Sequence, residues 1–238
     1  MDKWLNQIIQ GDCLEVMREL PDKSVDMIFT DPPYKLTGGG KGNSLLRKPE
    51  LENCAFTTTG EVFSNPTPEF SDWIPLLYRV LKENSYVFIM SNDRNVRDIW
   101  QECEKTGLIF CELLVMNKGA GVPSSYFFKS AEFILMFRKG GYKKLEVFGQ
   151  KTVFNVNMPI GDNKVHPTEK PIELIIPIIK ACSKTGDIIF DPFSGSGSTA
   201  VAALNTGRFF IGIEKEPKYC DIARKRVEQA QAQQSLFG

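Results

Sequence analysis

Two stretches of this chain carry residue types that could do chemistry, Asp31-Pro32-Pro33-Tyr34 and Asp191-Pro192-Phe193-Ser194-Gly195-Ser196-Gly197-Ser198-Thr199. In the first, two prolines fix φ and remove backbone donors, so the turn is stiff and its carbonyls stay open to hydrogen bonds. An exocyclic amine on a flat ring has two hydrogens to donate. Asp31 can accept one and the Pro32 carbonyl the other, while Tyr34 offers a face for stacking. Accepting both hydrogens holds the nitrogen and favours its more tetrahedral, nucleophilic form. Asp31 need not be a strong base, because such an amine sheds its proton readily once alkylated. Read as a plain turn, the same four residues would carry no chemistry.

In the second stretch, Gly195 and Gly197 allow close backbone approach to a ligand, and a helix beginning there offers free N–H groups. The lysine that a Walker phosphate loop needs before its Ser/Thr is missing. Gly195-x-Gly197-x-x-Ala200 also fits the dinucleotide fingerprint, with Glu214 where a ribose-binding acid belongs. A nicotinamide-dependent dehydrogenase and a purely structural tight turn therefore both stay open on this stretch alone. In either cofactor reading the Glu214 carboxylate accepts from both ribose hydroxyls; otherwise it is a surface acid near Lys215 and Lys218.

Both stretches need strands to position them. Val25-Asp26-Met27-Ile28-Phe29-Thr30 and Asp187-Ile188-Ile189-Phe190 are apolar runs that read as buried strands. Both motifs then lie at the carboxyl ends of strands, where open α/β sheets build ligand sites. Further strands are expected over 8–13, 85–91, 108–117, 131–138 and 209–214. Helices are expected over 14–20, 70–81, 92–105, 171–183, 198–205 and from Lys218 onward. The alternation predicts a three-layer α/β sandwich with a mostly parallel sheet, as one domain over residues 1–238. The two strands over 108–138, with no helix between them, predict an antiparallel hairpin at the sheet edge. Residues 35–68, 118–129 and 140–165 read as irregular.

The bulk numbers exclude several classes. A chain of 238 residues with 29 basic and 29 acidic side chains has the composition of an ordinary globular protein, and its net charge gives no support for nucleic-acid binding. The charge is uneven, however. Residues 118–165 hold eight basic and three acidic side chains, which is either a solvated surface or a phosphate-contacting face. No apolar run approaches a membrane span and the N-terminus has no signal-peptide pattern, so a cytoplasmic protein with no membrane partner is expected. Six scattered cysteines without a C-x-x-C pair point to reduced thiols, and a single histidine speaks against His-based metal sites, so no metal is expected.

Taken in order, the motifs resemble those of the DNA amino-methyltransferases that modify adenine N6 or cytosine N4, in the β-group arrangement with the Asp-Pro-Pro-Tyr element first and the glycine loop last. Gly11-Asp12 resembles the family's element that reaches the cofactor adenine. His166-Pro167-Thr168-Glu169-Lys170-Pro171 resembles its His-Pro-Thr-x-Lys-Pro element, which lines the methionine end. The resemblance implies a Rossmann-like methyltransferase fold, S-adenosyl-L-methionine as cofactor and DNA as partner. It implies a catalytic set of Asp31, Pro32, Pro33 and Tyr34. The implied cofactor set is Asp12, Cys13, Asp31, His166, Thr168, Lys170, Asp191, Phe193, Ser194, Gly195, Ser196, Gly197, Ser198, Thr199 and Glu214. Lys170 would pair with the cofactor carboxylate or cap local structure, and His166 shapes the pocket rather than acting as base. A small target-recognition segment is implied within about residues 118–165, and so a short site or relaxed specificity. The loop after Tyr34, with Lys35, Lys41, Arg47 and Lys48, would close over a flipped base or track phosphate. Asp31 at the first motif position leans towards adenine N6 over cytosine N4.

A target base inside duplex DNA has to leave the stack to reach Tyr34. A homodimer would enlarge the DNA footprint. The tail Gln233-Gln234-Ser235-Leu236-Phe237 resembles the short peptide by which bacterial replication proteins dock on the sliding clamp, with Gln233, Leu236 and Phe237 as anchors; read plainly it is a frayed terminus. RNA or a protein amide as substrate, and a non-catalytic reader that binds DNA and cofactor, are the competing classes.

Overall fold

The computed structural model describes residues 1–33, 68–122, 126–156 and 170–237. Tyr34, the loop after it, His166 and Thr168 lie outside the described residues. The elements in chain order are β1 (Gln7–Gln10), α1 (Cys13–Glu19), β2 (Val25–Thr30), α2 (Phe70–Val80), β3 (Leu81–Ser91), α3 (Val96–Thr106), β4 (Ile109–Val122), β5 (Lys129–Lys139), β6 (Val153–Asn155), α4 (Ile172–Cys182), β7 (Ile188–Asp191), α5 (Ser198–Leu204), β8 (Phe209–Glu214) and α6 (Pro217–Phe237). The strands form one sheet in the order β1-β8-β7-β2-β3-β5-β4-β6. Every neighbouring pair is parallel except the two made by β5, which runs against both β3 and β4.

The period-2 alternation of the strands divides the core. Met27 and Phe29 point to the face shared with Tyr86, Phe88 and Met90, and α4, α5 and α6 cover that face. Ile28, Val87 and Ile89 point to the other, covered by α1, α2 and α3. With both faces buried, the central strands are apolar throughout, as a mostly parallel sheet requires. The three layers are those expected from the sequence.

Four expectations are corrected. The hairpin is not the sheet edge: β6 pairs in parallel outside β4, with Val115 N–H donating to the Thr152 carbonyl at 2.7 Å. A three-residue strand is too short to leave a periodic signal. The 118–129 stretch is strand at both ends, because β4 continues to Val122 and β5 begins at Lys129. The helix expected from Asn92 begins at Val96, because the Asn92 side chain accepts from the N–H groups of Arg94 and Asn95, each at 3.0 Å, and forms a turn first. Part of the local basic excess has structural work. Lys139 is buried and donates to the Tyr78 and Leu81 carbonyls at 2.7 and 2.8 Å, and Arg138 folds back onto the Gly140 carbonyl.

Candidate active site

The strand order reverses between β7 and β2. From β7 the chain crosses through α5 to β8 on one side; from β2 it crosses to β3 on the other. Ligand crevices form at such switch points, outside the carboxyl ends of the strands. Here the switch brings the two motifs together. Thr30, the last residue of β2, donates its hydroxyl to Asp191 Oδ1 at 2.8 Å, joining residues 161 positions apart. A cleft of about 410 Å³ opens there, lined by Asp12, Cys13, Asp31, Pro32 and Pro33, by Lys170, by the glycine loop and by Glu214. Its size lies within the usual range of small-molecule sites.

The glycine loop is set by local geometry. Gly197 caps α5 at φ 81°, a left-handed conformation, and a Cβ there would lie 3.0 Å from the Ala223 Cβ. Gly212 on β8 is demanded by close approach, since a Cβ would lie 2.7 Å from the Ser194 hydroxyl. The Gly195 N–H donates to Glu214 Oε2 and the Glu216 N–H to Oε1, both at 2.8 Å. These bonds aim the Glu214 carboxylate while leaving lone pairs for a ligand. Burial raises the Glu214 carboxyl, against the opposing pull of the Glu216 and Gly195 amides. Ser196 is tied from behind: its hydroxyl and carbonyl each accept from Arg226 of α6 at 2.8 Å. The Phe193 ring stands edge-on to Trp73 of α2, with centroids 5.3 Å apart. Thr199 and Ser198 are buried at the start of α5.

Asp12 caps α1, accepting the Leu14 N–H at 2.9 Å, and Lys215 lies 3.2 Å from its other oxygen. Burial opposes ionisation of Asp12, but these partners outweigh it and hold the carboxyl below its ordinary value. Burial pushes the neighbouring Cys13 thiol up to about 12, so it meets the cleft as a neutral group.

Two residues of the expected cofactor set have other partners. Asp191 is buried and ties the site together, accepting from Thr30, from the Phe193 N–H at 3.1 Å and from Thr199. Burial raises its carboxyl to about 6 from an ordinary value of 3.8. The folded chain therefore keeps this proton over a range where the unfolded chain has lost it. The resulting stability is complete below about pH 4 and lost as the pH rises through about 6. Asp191→Asn removes this dependence. Relative to that variant, wild type should lose about 2–3 kcal/mol between about pH 4 and pH 7 in urea unfolding. A constant difference across that range would contradict the assignment.

Lys170, only 11% exposed at its side chain, is 2.7 Å from Asp31 Oδ2 and 3.3 Å from Glu132 Oε2. Glu132 in turn pairs with Lys118 at 3.2 Å. The result is an alternating chain Lys118–Glu132–Lys170–Asp31, which runs from β4 through β5 to the end of β2. Lys170 thus pairs with both Asp31 and Glu132 at the wall of the cleft. Burial works against its charge, yet the two carboxylates more than compensate and raise its pKa. Burial likewise works against the Glu132 carboxylate, and Lys170 and Lys118 reverse that, lowering its pKa. The sequence reading missed Glu132, Lys118 and Arg226. Only Glu132 left a signal: it is the one acid in the otherwise apolar and basic run of β5.

A family model described as DNA methylase, covering adenine-N6 and cytosine-N4 enzymes, matches residues 25–225. The chain belongs to this N6/N4 DNA methylase family. Its similarity to the type II methyltransferase M2.DpnII of Streptococcus pneumoniae is 32% identity over 243 residues, covering 93% of this chain and 89% of that protein. To the type II methyltransferase M.HinfI of Haemophilus influenzae it is 29% over 264 residues, covering 96% and 70%. Among solved structures, M1.HpyAVI, determined as its S-adenosylmethionine complex, superposes with a TM-score of 0.69 at 26% identity, covering 93% of this chain and 98% of that one. The cytosine-N4-specific PvuII DNA methyltransferase shares the fold, with a TM-score of 0.70 at 17% identity over 94% of this chain and 89% of that one. Family membership makes S-adenosylmethionine the cofactor and DNA the substrate, and it removes the dehydrogenase reading of the glycine loop. Among the described residues no helix is long and apolar enough to cross a membrane.

Proposed function

We propose that this DNA methylase modifies the exocyclic N6 amine of an adenine that has left the duplex stack. The observation that carries the reading is the Asp31 carboxylate in the lining of the cleft, directly after β2, the strand beside the one that leads into the glycine loop. The fold does not choose the base, since the cytosine-N4-specific PvuII enzyme shares it. The choice of adenine rests on aspartate at the first position of the Asp-Pro-Pro-Tyr element.

The residues present fit the cofactor. Glu214 and Asp12 offer carboxylates at the strand ends for hydroxyl and amine donors, and Phe193, Pro192 and Ile213 give the cleft apolar walls for a flat ring. When bound, S-adenosylmethionine supplies an electrophilic methyl group on a sulfonium. Glu214 accepts hydrogen bonds from the ribose hydroxyls, and Gly195 and Gly197 let the backbone come close to the ligand. His166 and Thr168, outside the described residues, would serve the methionine end by the family resemblance. Asp31 accepts one hydrogen of the target amine and the Pro32 carbonyl the other, with the base stacked on Tyr34. As the amine nitrogen bonds to the methyl carbon the methyl–sulfur bond breaks, its electron pair staying on sulfur as a neutral thioether; the nitrogen becomes positive, the adjacent carboxylate stabilises that charge, and the proton then leaves to Asp31 or water. Lys170 orients Asp31 through its ion pair to Oδ2. Residues within about 118–165 read the target sequence.

Nucleoside mass spectrometry on unmethylated plasmid incubated with protein and S-adenosylmethionine tests the proposal, with sequencing to map the modified site. N6-methyladenine is the expected product. N4-methylcytosine would overturn the choice of base and keep the site chemistry. No methylated base would overturn the reading.

A further inference from the structure

Around Asp31 the described lining of the cleft is rich in acceptors. The Asp31 and Glu132 carboxylates stand there, and Pro32, Pro33 and Pro68 bring carbonyls but no N–H. The side-chain donors beside them are Lys170, whose ammonium lies 2.7 and 3.3 Å from the two carboxylates, and Asn92. Asn92 directly follows β3 and is half-buried. β3 runs parallel beside β2 with Thr30 paired to Ile89, so Asn92 and the Asp31 turn leave neighbouring strands at the same end of the sheet. The Asn92 Oδ1 accepts from three donors, the N–H groups of Arg94 and Asn95 at 3.0 Å each and the Asn95 Nδ2 at 2.9 Å. Two of these are backbone groups that can only donate, so they fix which end of the Asn92 amide carries the oxygen and hold its plane. Its Nδ2 keeps two hydrogens, and among the described residues it donates to none.

We propose that the Asn92 amide donates to the ring nitrogen beside the target amine, N1 in adenine, and so helps to select the base. The proposal rests on the base-methylating reading above. In adenine the carbon that bears the amine is bonded to N1, which has a lone pair and no hydrogen. The edge offered to the cleft is therefore an amine with two hydrogens next to an acceptor, and an extruded base is read on this edge. Asp31 and the Pro32 carbonyl take the two hydrogens. The acceptor needs an N–H, which the prolines lack. The Lys170 ammonium lies between two carboxylates, whereas the Asn92 amide is held in place by its oxygen with both hydrogens left over. Guanine and thymine carry a carbonyl in place of the amine and an N–H in place of the ring lone pair. Each would set an oxygen against Asp31 and a hydrogen against the hydrogens of Asn92, leaving polar groups on both sides unpaired.

The test uses synthetic duplexes carrying the site mapped by sequencing, with either adenine or 1-deazaadenine as the target base. In the analogue a C–H replaces N1 and the amine is kept. Wild type is compared with Asn92→Asp, which keeps an oxygen to accept from Arg94 and Asn95 but has no hydrogen to give. On adenine the variant should lose about tenfold or more in kcat/KM. On 1-deazaadenine the two proteins should agree within about twofold, because the acceptor is gone and the two changes are not additive. Any effect of the analogue on base pairing acts on both proteins and cancels in the ratio. Asn92→Ser, which offers the turn a hydroxyl without added charge, should follow the same pattern. S-adenosylmethionine affinity in calorimetry should be unchanged for both variants. If the product proves to be N4-methylcytosine, the paired targets are cytosine and 3-deazacytosine, with the same expectations. An equal loss on both duplexes, or no loss on the natural base, would overturn the proposal and leave Asn92 as a turn former only. If wild type methylates no DNA base at all, the reading of function falls and this proposal falls with it; if methylation is seen and only the ratio stays constant, the function stands.

Discussion

Asp31→Ala is expected to slow methyl transfer by about 10³-fold, with S-adenosylmethionine affinity altered far less. The reason lies in where charge moves. An exocyclic amine is a poor nucleophile because its lone pair is delocalised into the ring, and it turns positive as it attacks. A carboxylate fixed at hydrogen-bond distance interacts more strongly with that developing cation than with the neutral ground state, which is the condition for lowering a barrier. Asp31 is placed for this by local and long-range constraints together. Pro32 and Pro33 stiffen the backbone after it, and Lys170 holds Oδ2 at 2.7 Å. Asp31→Asn keeps a carbonyl acceptor but loses the charge, so it should fall between wild type and alanine. Single-turnover rates at saturating cofactor, with affinity from calorimetry, check both variants. An alanine variant within tenfold of wild type would leave Asp31 without its proposed role.

The second large effect is on stability and comes from Lys170. Lys170→Met leaves Asp31 and Glu132 half-buried without the ammonium between them. Removing one partner of a buried ion pair typically costs about 3–5 kcal/mol, because the remaining charge stays desolvated. The sign with pH follows from Glu132. In wild type, burial raises this carboxyl but Lys170 and Lys118 more than reverse it. Without Lys170, burial regains weight and the folded-state pKa of Glu132 moves up. A group shifted upward on folding favours the folded state at low pH and loses that contribution as the pH rises through its folded value. The deficit of Lys170→Met against wild type should therefore be larger at neutral than at mildly acidic pH in urea unfolding. Adding Glu132→Gln removes the stranded charge and should recover part of the loss at neutral pH, a coupling that a double-mutant cycle reads directly. Additive losses with no dependence on pH would show that the ion chain does not act as a unit.

The two chemical motifs were legible in the sequence because each is contiguous and its geometry is local. Prolines at 32 and 33 restrict the backbone wherever they stand, and Gly197 meets a left-handed turn with no penalty. The strands that carry them were legible for a related reason: runs apolar on both faces leave few options besides a buried parallel strand. The sheet edge was misplaced because β6 has three residues, too few to show a period. The surface role expected for Lys139 failed because its burial depends on where α2 ends and β3 begins, and the residues around Lys139 do not encode that junction.

Sequence alone therefore placed the Asp31 turn and the glycine loop at the carboxyl ends of two strands. Tertiary structure decided which of them meet. The switch between β7 and β2 sets Thr30 against Asp191. The reversed strand β5, in register with β4 so that Glu132 faces Met116, sets Glu132 between Lys118 and Lys170. A slip of one residue in that register would turn Glu132 to the opposite face of the sheet. Strand register is fixed by packing along the whole hairpin, not by the residues that form the ion chain.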